Sequence, residues 1–229
     1  VDESAMSGWK GLDLAEEVAD LFDFPVFLGN DASCACAAEL VFGQSPKPQD
    51  FLYIYIGYFI GGGVVLNGSL YTGSSGNAGA IGPFPEMDQN NPRRQLMDVA
   101  SLIGLERRLI EAGGEARILW ENPEAWPIDD AIVTDWLTEA APAIARTMLA
   151  AISIIDFSAV VIDGSMPHGP RNRVIEAVRS SFEHQNLSGL NKPLIMPGSI
   201  GSDARALGAA SLPLSKRFVL EGGLVGQAR

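Results

Sequence analysis

Asn30 and Asp31 stand side by side where a short apolar run, residues 25–28, breaks at Gly29 and a stretch of small, helix-prone residues begins. A carboxylate there sits at the positive end of a helix dipole and at the sheet edge where α/β proteins usually hold ligands. It is placed to take a proton from a hydroxyl, although plain N-capping by Asp31 accounts for the same residues. A second candidate is the run Gly57-Tyr58-Phe59-Ile60-Gly61-Gly62-Gly63. Its glycines would let backbone N–H groups approach phosphate oxygens, and a tight hairpin would need them equally. A third is Asp163-Gly164-Ser165, which follows an apolar run. Such turns line ligand crevices at strand C-termini, and they also simply join strands to helices. His168 and His184, the only two histidines, have no Cys or His at metal-ligand spacing and read as structural. Cys34 and Cys36 are too close for a good disulfide and too few for a structural zinc. They read as small packing residues in a reduced, cytoplasmic setting.

The elements that must carry these groups follow from periodicity. Leu12, Leu14, Val18, Leu21 and Phe22 recur at helical spacing and predict a helix over 12–24, stopped by Pro25. Residues 25–28 suit a short buried strand, and 32–42 a helix with Asp31 as its N-cap. Residues 51–56, FLYIYI, predict a strand, 57–63 a turn, and 64–66 and 69–72 two further strands joined at the hairpin signal Asn67-Gly68. Residues 73–93 are loop. Helices are expected near 97–112, 124–137 and 138–154, then strand 159–162, helix 170–184, strand 193–196 and helix 203–211, with no pattern from 216. The order implies an α/β fold whose mixed sheet starts as an antiparallel meander and finishes parallel, flanked by helices.

The 229 residues are 47% apolar and 19% charged, which predicts a packed core. No uninterrupted apolar run reaches the ~18 residues of a membrane span, and the opening residues do not read as a signal peptide. The net charge of −12 would repel phosphate backbones, so this chain itself is not expected to grip nucleic acid.

The strings PVFLGNDASCACAAEL and FLYIYIGYFIGGGVVLNGSLYTGSSGNAGAIG, with AVVIDGS and PGSIGSDARALGAASL further on, resemble the ROK family of repressors and sugar kinases. The family pattern is roughly N-D-A, then G-T-G-I-G-G-G, G-x-L-Y-x-G and A-G-E-x-G-H. The resemblance implies an actin-like ATPase (ribonuclease H-like) fold. It divides the chain into 1–49, a remnant of the N-terminal half carrying Asn30 and Asp31; 50–215, the C-terminal half; and a tail, 216–229. It also implies a missing N-terminal portion, which in the repressors holds the DNA-binding region. By resemblance, Asn30 and Gly79 bind substrate, Asp31 binds it and is the catalytic base, and Gly57, Gly61, Gly62 and Gly164 bind nucleotide.

Four departures stand beside these matches. Ala80 replaces the sugar-binding glutamate of A-G-E-x-G-H, and Pro83 its histidine. The zinc motif C-x-C-G-x-x-G-C-x-E is absent, and its glutamate falls at Met97, so no zinc is expected. Tyr58-Phe59 replaces the small Thr-Gly of the phosphate turn. Each lost hydrogen-bond partner weakens sugar binding by ~1–3 kcal/mol. The expected function is therefore the sugar-like effector-binding and dimerisation domain of a ROK transcriptional regulator without kinase activity. Such a domain would be a homo-oligomer without membrane contact, reaching DNA only through a region outside this chain. The alternative is an ATP-dependent sugar kinase with a rebuilt sugar site, for which Glu86, Asp88 and Asn77 are the nearby polar residues; only this reading calls for ATP and Mg. A scaffold that merely dimerises is a third option.

Overall fold

A computed structural model describes residue 8 and residues 11–44, 48–88, 91–122 and 124–222, with side chains as far as 213. Five strands form one mixed sheet in the order β3-β2-β1-β4-β5. They are β1 (Phe51–Ile56), β2 (Ile60–Leu66), β3 (Ser69–Tyr71), β4 (Ala159–Gly164) and β5 (Leu194–Pro197). The first three run antiparallel, and β1, β4 and β5 run parallel. Asn67 and Gly68 make the β2–β3 turn with φ of 53° and 70°, as the dipeptide predicts.

Every side chain of β1 is buried, because helices cover both faces of the sheet. Phe51, Tyr53 and Tyr55 join Ala35, Cys36, Val161 and Ala204 in a smaller core on one face. Here helices α2 (Asp31–Phe42) and α8 (Ala204–Gly222) pack against each other and α2 against the strands. Leu52, Ile54 and Ile56 join the larger core on the other face. Helices α3 (Leu96–Ala100), α4 (Leu102–Glu111), α6 (Asp130–Ile154) and α7 (His168–Glu183) contribute to that layer. By length and composition α6 would suit a membrane, yet Val133, Trp136, Ala140, Ile144 and Met148 are buried in this core.

Several elements differ from the sequence expectation. The first helix, α1, is only Leu14–Ala19. Residues 25–28 form no strand: they find no ladder partner among the described residues, and Leu28 is 66% exposed. The helix expected at 97–112 breaks into α3 and α4 at Ser101, whose hydroxyl accepts from Ile60 N instead of supporting a helical turn. Among the described residues between 112 and 130 the one helix is the short α5 (Ile118–Glu121); α6 then runs unbroken through most of the region expected to be two helices, with Pro142 inside it. After a 3₁₀ turn at Gly201–Asp203, α8 continues past 216, where no pattern was legible; residues expected in the tail beyond 222 lie outside the described residues.

The largest correction is at Gly61-Gly62-Gly63. These residues are not a turn but the middle of β2, paired with Tyr55, Ile54 and Tyr53. Only 57–59 turn. A Cβ on Gly61 would lie 2.8 Å from the Ala32 Cβ, and one on Gly63 would overlap the Cys36 side chain, so α2 rides directly on the bare strand. On the opposite face, a Cβ on Gly62 would meet the Gly79 carbonyl oxygen at 2.8 Å. Small residues at 32 and 36, one helical turn apart, match glycines two apart on the strand. The close approach explains both runs.

Candidate functional site

The N-terminus of α2 places Asn30 and Asp31. Asn30, not Asp31, is the N-cap: its Oδ1 accepts from Ser33 N at 3.1 Å. Asp31 is the first helical residue, and its side chain is 68% exposed. One carboxylate oxygen accepts from Ala32 N at 2.9 Å, and the other faces Arg205 Nη1 at 3.4 Å. The Arg205 guanidinium lies 5.4 Å above the centre of the Tyr55 ring. The pair spans 174 positions in sequence, and nothing in local periodicity pointed to Arg205.

Asp31 lines a cleft of about 290 Å³ together with Asn30, Gly61, Gly62, Asn77 and Arg205. Ala80, Pro83 and Met97, which stand where the family pattern has sugar-binding groups, line the same cleft, as do Tyr58 and Phe59. The Tyr58 and Phe59 rings meet edge to face at 4.9 Å, and Tyr58 also leans on Trp120 at 5.6 Å. Both rings stay about two-fifths exposed. Asn30 and Asn77 also border a second, larger cleft of about 650 Å³, walled by Leu28, Ser33, Leu70 and Thr72.

The candidates Gly57, Gly79 and Gly164 are not among the residues that line the Asp31 cleft. Gly57 is buried and its carbonyl accepts from Leu102 N at 3.0 Å, while Ile60 N donates to the Ser101 hydroxyl at 2.9 Å, so α3 and α4 bolt the turn in place. Gly79 adopts φ +83°, and a Cβ there would meet the Gly63 α-carbon at 2.7 Å. At the end of β4, Gly164 is so close to Ile56 that a Cβ would overlap the Ile56 carbonyl oxygen. Glu86, Asp88 and Asn77 do not form one polar site: Glu86 is buried against Arg146, Asp88 accepts from Arg94, and Asn77 borders the clefts. Cys34 and Cys36 are buried on α2, where burial pushes both thiols up. Among the described residues no group of three or more His, Cys, Asp or Glu is placed to hold a metal ion, and these two thiols do not fit a zinc set.

Two carboxylates are buried in networks of their own: Glu39, for which the sequence held no signal, and Asp163, whose turn the sequence offered as a crevice lining. Glu39 of α2 accepts from Ser199 N and Oγ and from Ile200 N, tying α2 to the loop after β5. Asp163 receives Arg171 Nη1 at 2.6 Å, Gly201 N and Gly164 N at 2.9 Å, and the Tyr53 hydroxyl at 3.2 Å. His168 meets the same guanidinium through Nδ1. Asp163-Gly164 therefore ends a strand and braces the fold's interior.

This cluster has a pH signature. Burial, then the Asp163 and Glu39 carboxylates, holds the Tyr53 phenol well above its ordinary 10.0. A proton held more tightly by the folded state stabilises it fully below the unfolded value and progressively less as pH rises past it. Thermal unfolding followed from about pH 8 to about pH 11 should therefore show stability falling above about pH 10, and less steeply in Tyr53→Phe. An equal slope in both proteins would remove Tyr53 from the account.

Comparison with known proteins adds the following. The ROK family model matches residues 1–216. An uncharacterised protein of Sinorhizobium fredii, y4fQ, is 28% identical over 205 residues, covering 89% of this chain and 50% of its own. The xylose repressor of Bacillus subtilis is 34% identical over 87 residues, 38% of this chain and 22% of the repressor. The bifunctional enzyme NanE/NanK of Brucella melitensis is 30% identical over 190 residues, 82% of this chain and 35% of the enzyme. The matches thus span half or less of these relatives' own length. A ROK family protein from Streptococcus pneumoniae, solved in complex with sucrose, superposes with a TM-score of 0.68 at 21% identity, covering 91% of this chain and 72% of that one. A ROK family glucokinase from Streptomyces griseus, solved with glucose and AMPPNP, gives 0.67 at 21% identity, with coverages of 87% and 71%. These likenesses show the fold, the actin-like ATPase fold of the ROK kinases.

Proposed function

Because this chain belongs to the ROK family, we propose that it is the sugar-like effector-binding and dimerisation domain of a ROK transcriptional regulator, cytoplasmic and without kinase activity. The observation that carries this reading is the chemistry of the Asp31 cleft. Where the family pattern has two carboxylates and an imidazole for sugar hydroxyls, the cleft presents Ala80, Pro83 and Met97. Among the described residues that line it, Asp31 is the one carboxylate. The match of 38% of this chain to a protein named xylose repressor supports the same reading. A ligand that engages Asn30 and Asp31 on α2 together with the loop carrying Asn77 would favour one arrangement of these elements over another, which is all that an effector must do.

A second reading, a sugar kinase with a rebuilt site, is favoured by a 28% identical match to a Haemophilus influenzae N-acetylmannosamine kinase over 90% of this chain and by one feature of the cleft. Asp31 still stands exposed at the N-terminus of α2, facing a cleft, where a general base for phosphoryl transfer would be needed. On that reading Gly61 and Gly62 approach the nucleotide phosphates, and Gly57 and Gly164 shape its surroundings. Tyr58 and Phe59 oppose it, because their rings stand in the same cleft and the Ile60 N–H is already engaged.

A coupled assay with ATP and glucose, xylose or N-acetylmannosamine tests the choice. We expect no turnover above background, and Mg-ATP binding at millimolar strength or weaker. Turnover that Asp31→Asn abolishes would establish the kinase instead. Restoration of ATP binding in Tyr58→Thr/Phe59→Gly would identify the rings as the obstruction.

A further inference from the structure

The Asp31 cleft is two-natured. Asn30, Asp31 and Asn77 offer it amide and carboxylate groups suited to hydroxyls, while Tyr58, Phe59 and Met97 offer an apolar, ring-rich wall. We propose that its ligand is a glycoside carrying an aromatic substituent, with the sugar hydroxyls toward Asn30, Asp31 and Asn77 and the aryl group against the Tyr58–Phe59 pair. This inference rests on the reading of the cleft as a sugar site and specifies what that sugar carries.

A bare sugar presents hydroxyls in every direction. Those turned toward the rings and the Met97 thioether would lose water and gain no partner, which opposes binding. An aryl group reverses the balance. The Tyr58 and Phe59 rings are half-exposed and already set edge to face at 4.9 Å, and the Trp120 ring contacts Tyr58 at 5.6 Å. A third ring added to such a pair gains offset or edge contacts beyond simple burial, and the Met97 sulfur adds a soft contact. The turn bearing both rings is pinned through Gly57, Tyr58 and Ile60 to the α3–α4 junction, so little ordering remains when the ligand arrives. The cleft's volume, about 290 Å³, lies at the small end of the usual range for ligand pockets and suits one sugar with one ring.

Calorimetric titration of the 229-residue chain with phenyl β-glycosides of glucose, galactose and xylose, each against its parent sugar and against phenol, decides the matter. For at least one sugar, we expect the phenyl glycoside to bind about tenfold or more tighter than the parent sugar and than phenol, with Tyr58→Ala/Phe59→Ala erasing the advantage. Circular dichroism of that variant checks that the exposed rings are not needed for folding. If parent sugars bind as tightly as their glycosides, the aryl inference falls and the sugar site stands. A preference that survives in the ring variant places the substituent elsewhere and also overturns the inference. Phenol binding as tightly as the glycosides, or no binding by any of these compounds at millimolar concentration, overturns the sugar site itself.

Discussion

Asp163→Ala should unfold at a much lower urea concentration than the parent chain, with a loss of ~3–5 kcal/mol. Asp163 is fully buried, and four donors converge on it, one from its neighbour Gly164 and three from other parts of the chain. Its ion partner, Arg171, is itself nearly fully buried and already carries an unpartnered Nε. Removing the carboxylate leaves a buried guanidinium whose remaining hydrogen bond among the described residues is to His168, together with an unpaired Gly201 N–H. The pair is not expected to exceed a well-packed apolar substitute, because both charges were taken out of water to make it. Asp163→Leu/Arg171→Met should therefore be more stable than Asp163→Ala alone, a coupling that a double-mutant cycle reads directly. A loss below ~1 kcal/mol in Asp163→Ala would show that water or backbone rearrangement replaces the network.

Gly208→Ala should be comparably damaging, by ~3 kcal/mol or more, the upper end of what overpacking costs. A Cβ at 208 would overlap the Cys34 carbonyl oxygen, so helices α2 and α8 touch backbone to backbone at this point. No rotamer relieves a backbone clash; α8 must move away. Arg205 is on the same helix one turn earlier, so its contact with Asp31 should loosen with the displacement. Gly169→Ala is the control. It lies in the first turns of α7 with open space around it, and it should stabilise by ~0.5–1 kcal/mol. Thermal denaturation of the two variants side by side separates a packing glycine from one that is only a flexible helical position. Equal melting temperatures would refute the close contact.

Much of the sheet was legible because β1 alternates aromatic and aliphatic residues and its two faces feed different cores. The Asn67-Gly68 turn declared itself through dihedral angles that few residues adopt. The glycine run deceived for a physical reason. Glycine carries no strand propensity and no side chain to show a period, so the sequence is silent when a strand is bare to admit a helix. Residues 25–28 misled in the opposite sense: their composition suits a strand, yet a strand exists only with a neighbour. At the candidate site, the motif placed Asn30, Asp31, Ala80, Pro83 and Met97, and all five do line one cleft. Arg205 was invisible because only the folded chain brings it to Asp31. Asp163 looked like a turn residue because its partners lie on α7, on β1 and in the loop after β5.

The sheet order also sets a sequence of events in time. One flank of β1 is completed by its neighbours in the chain, through a hairpin whose strands are only a few residues apart. The other flank waits for β4, and the Tyr55–Ser165 contact across it closes a loop of 110 residues. Local hairpins form in microseconds, whereas long loops must be closed at an entropic cost before their contacts stabilise anything. The β1–β2–β3 meander should thus be an early and isolated structure, with the parallel edge of β1 bare until the helical excursion through α6 has condensed. During that interval the row of unsatisfied amides on β1 is the chain's most adhesive surface, and the yield of native protein should fall with concentration during refolding.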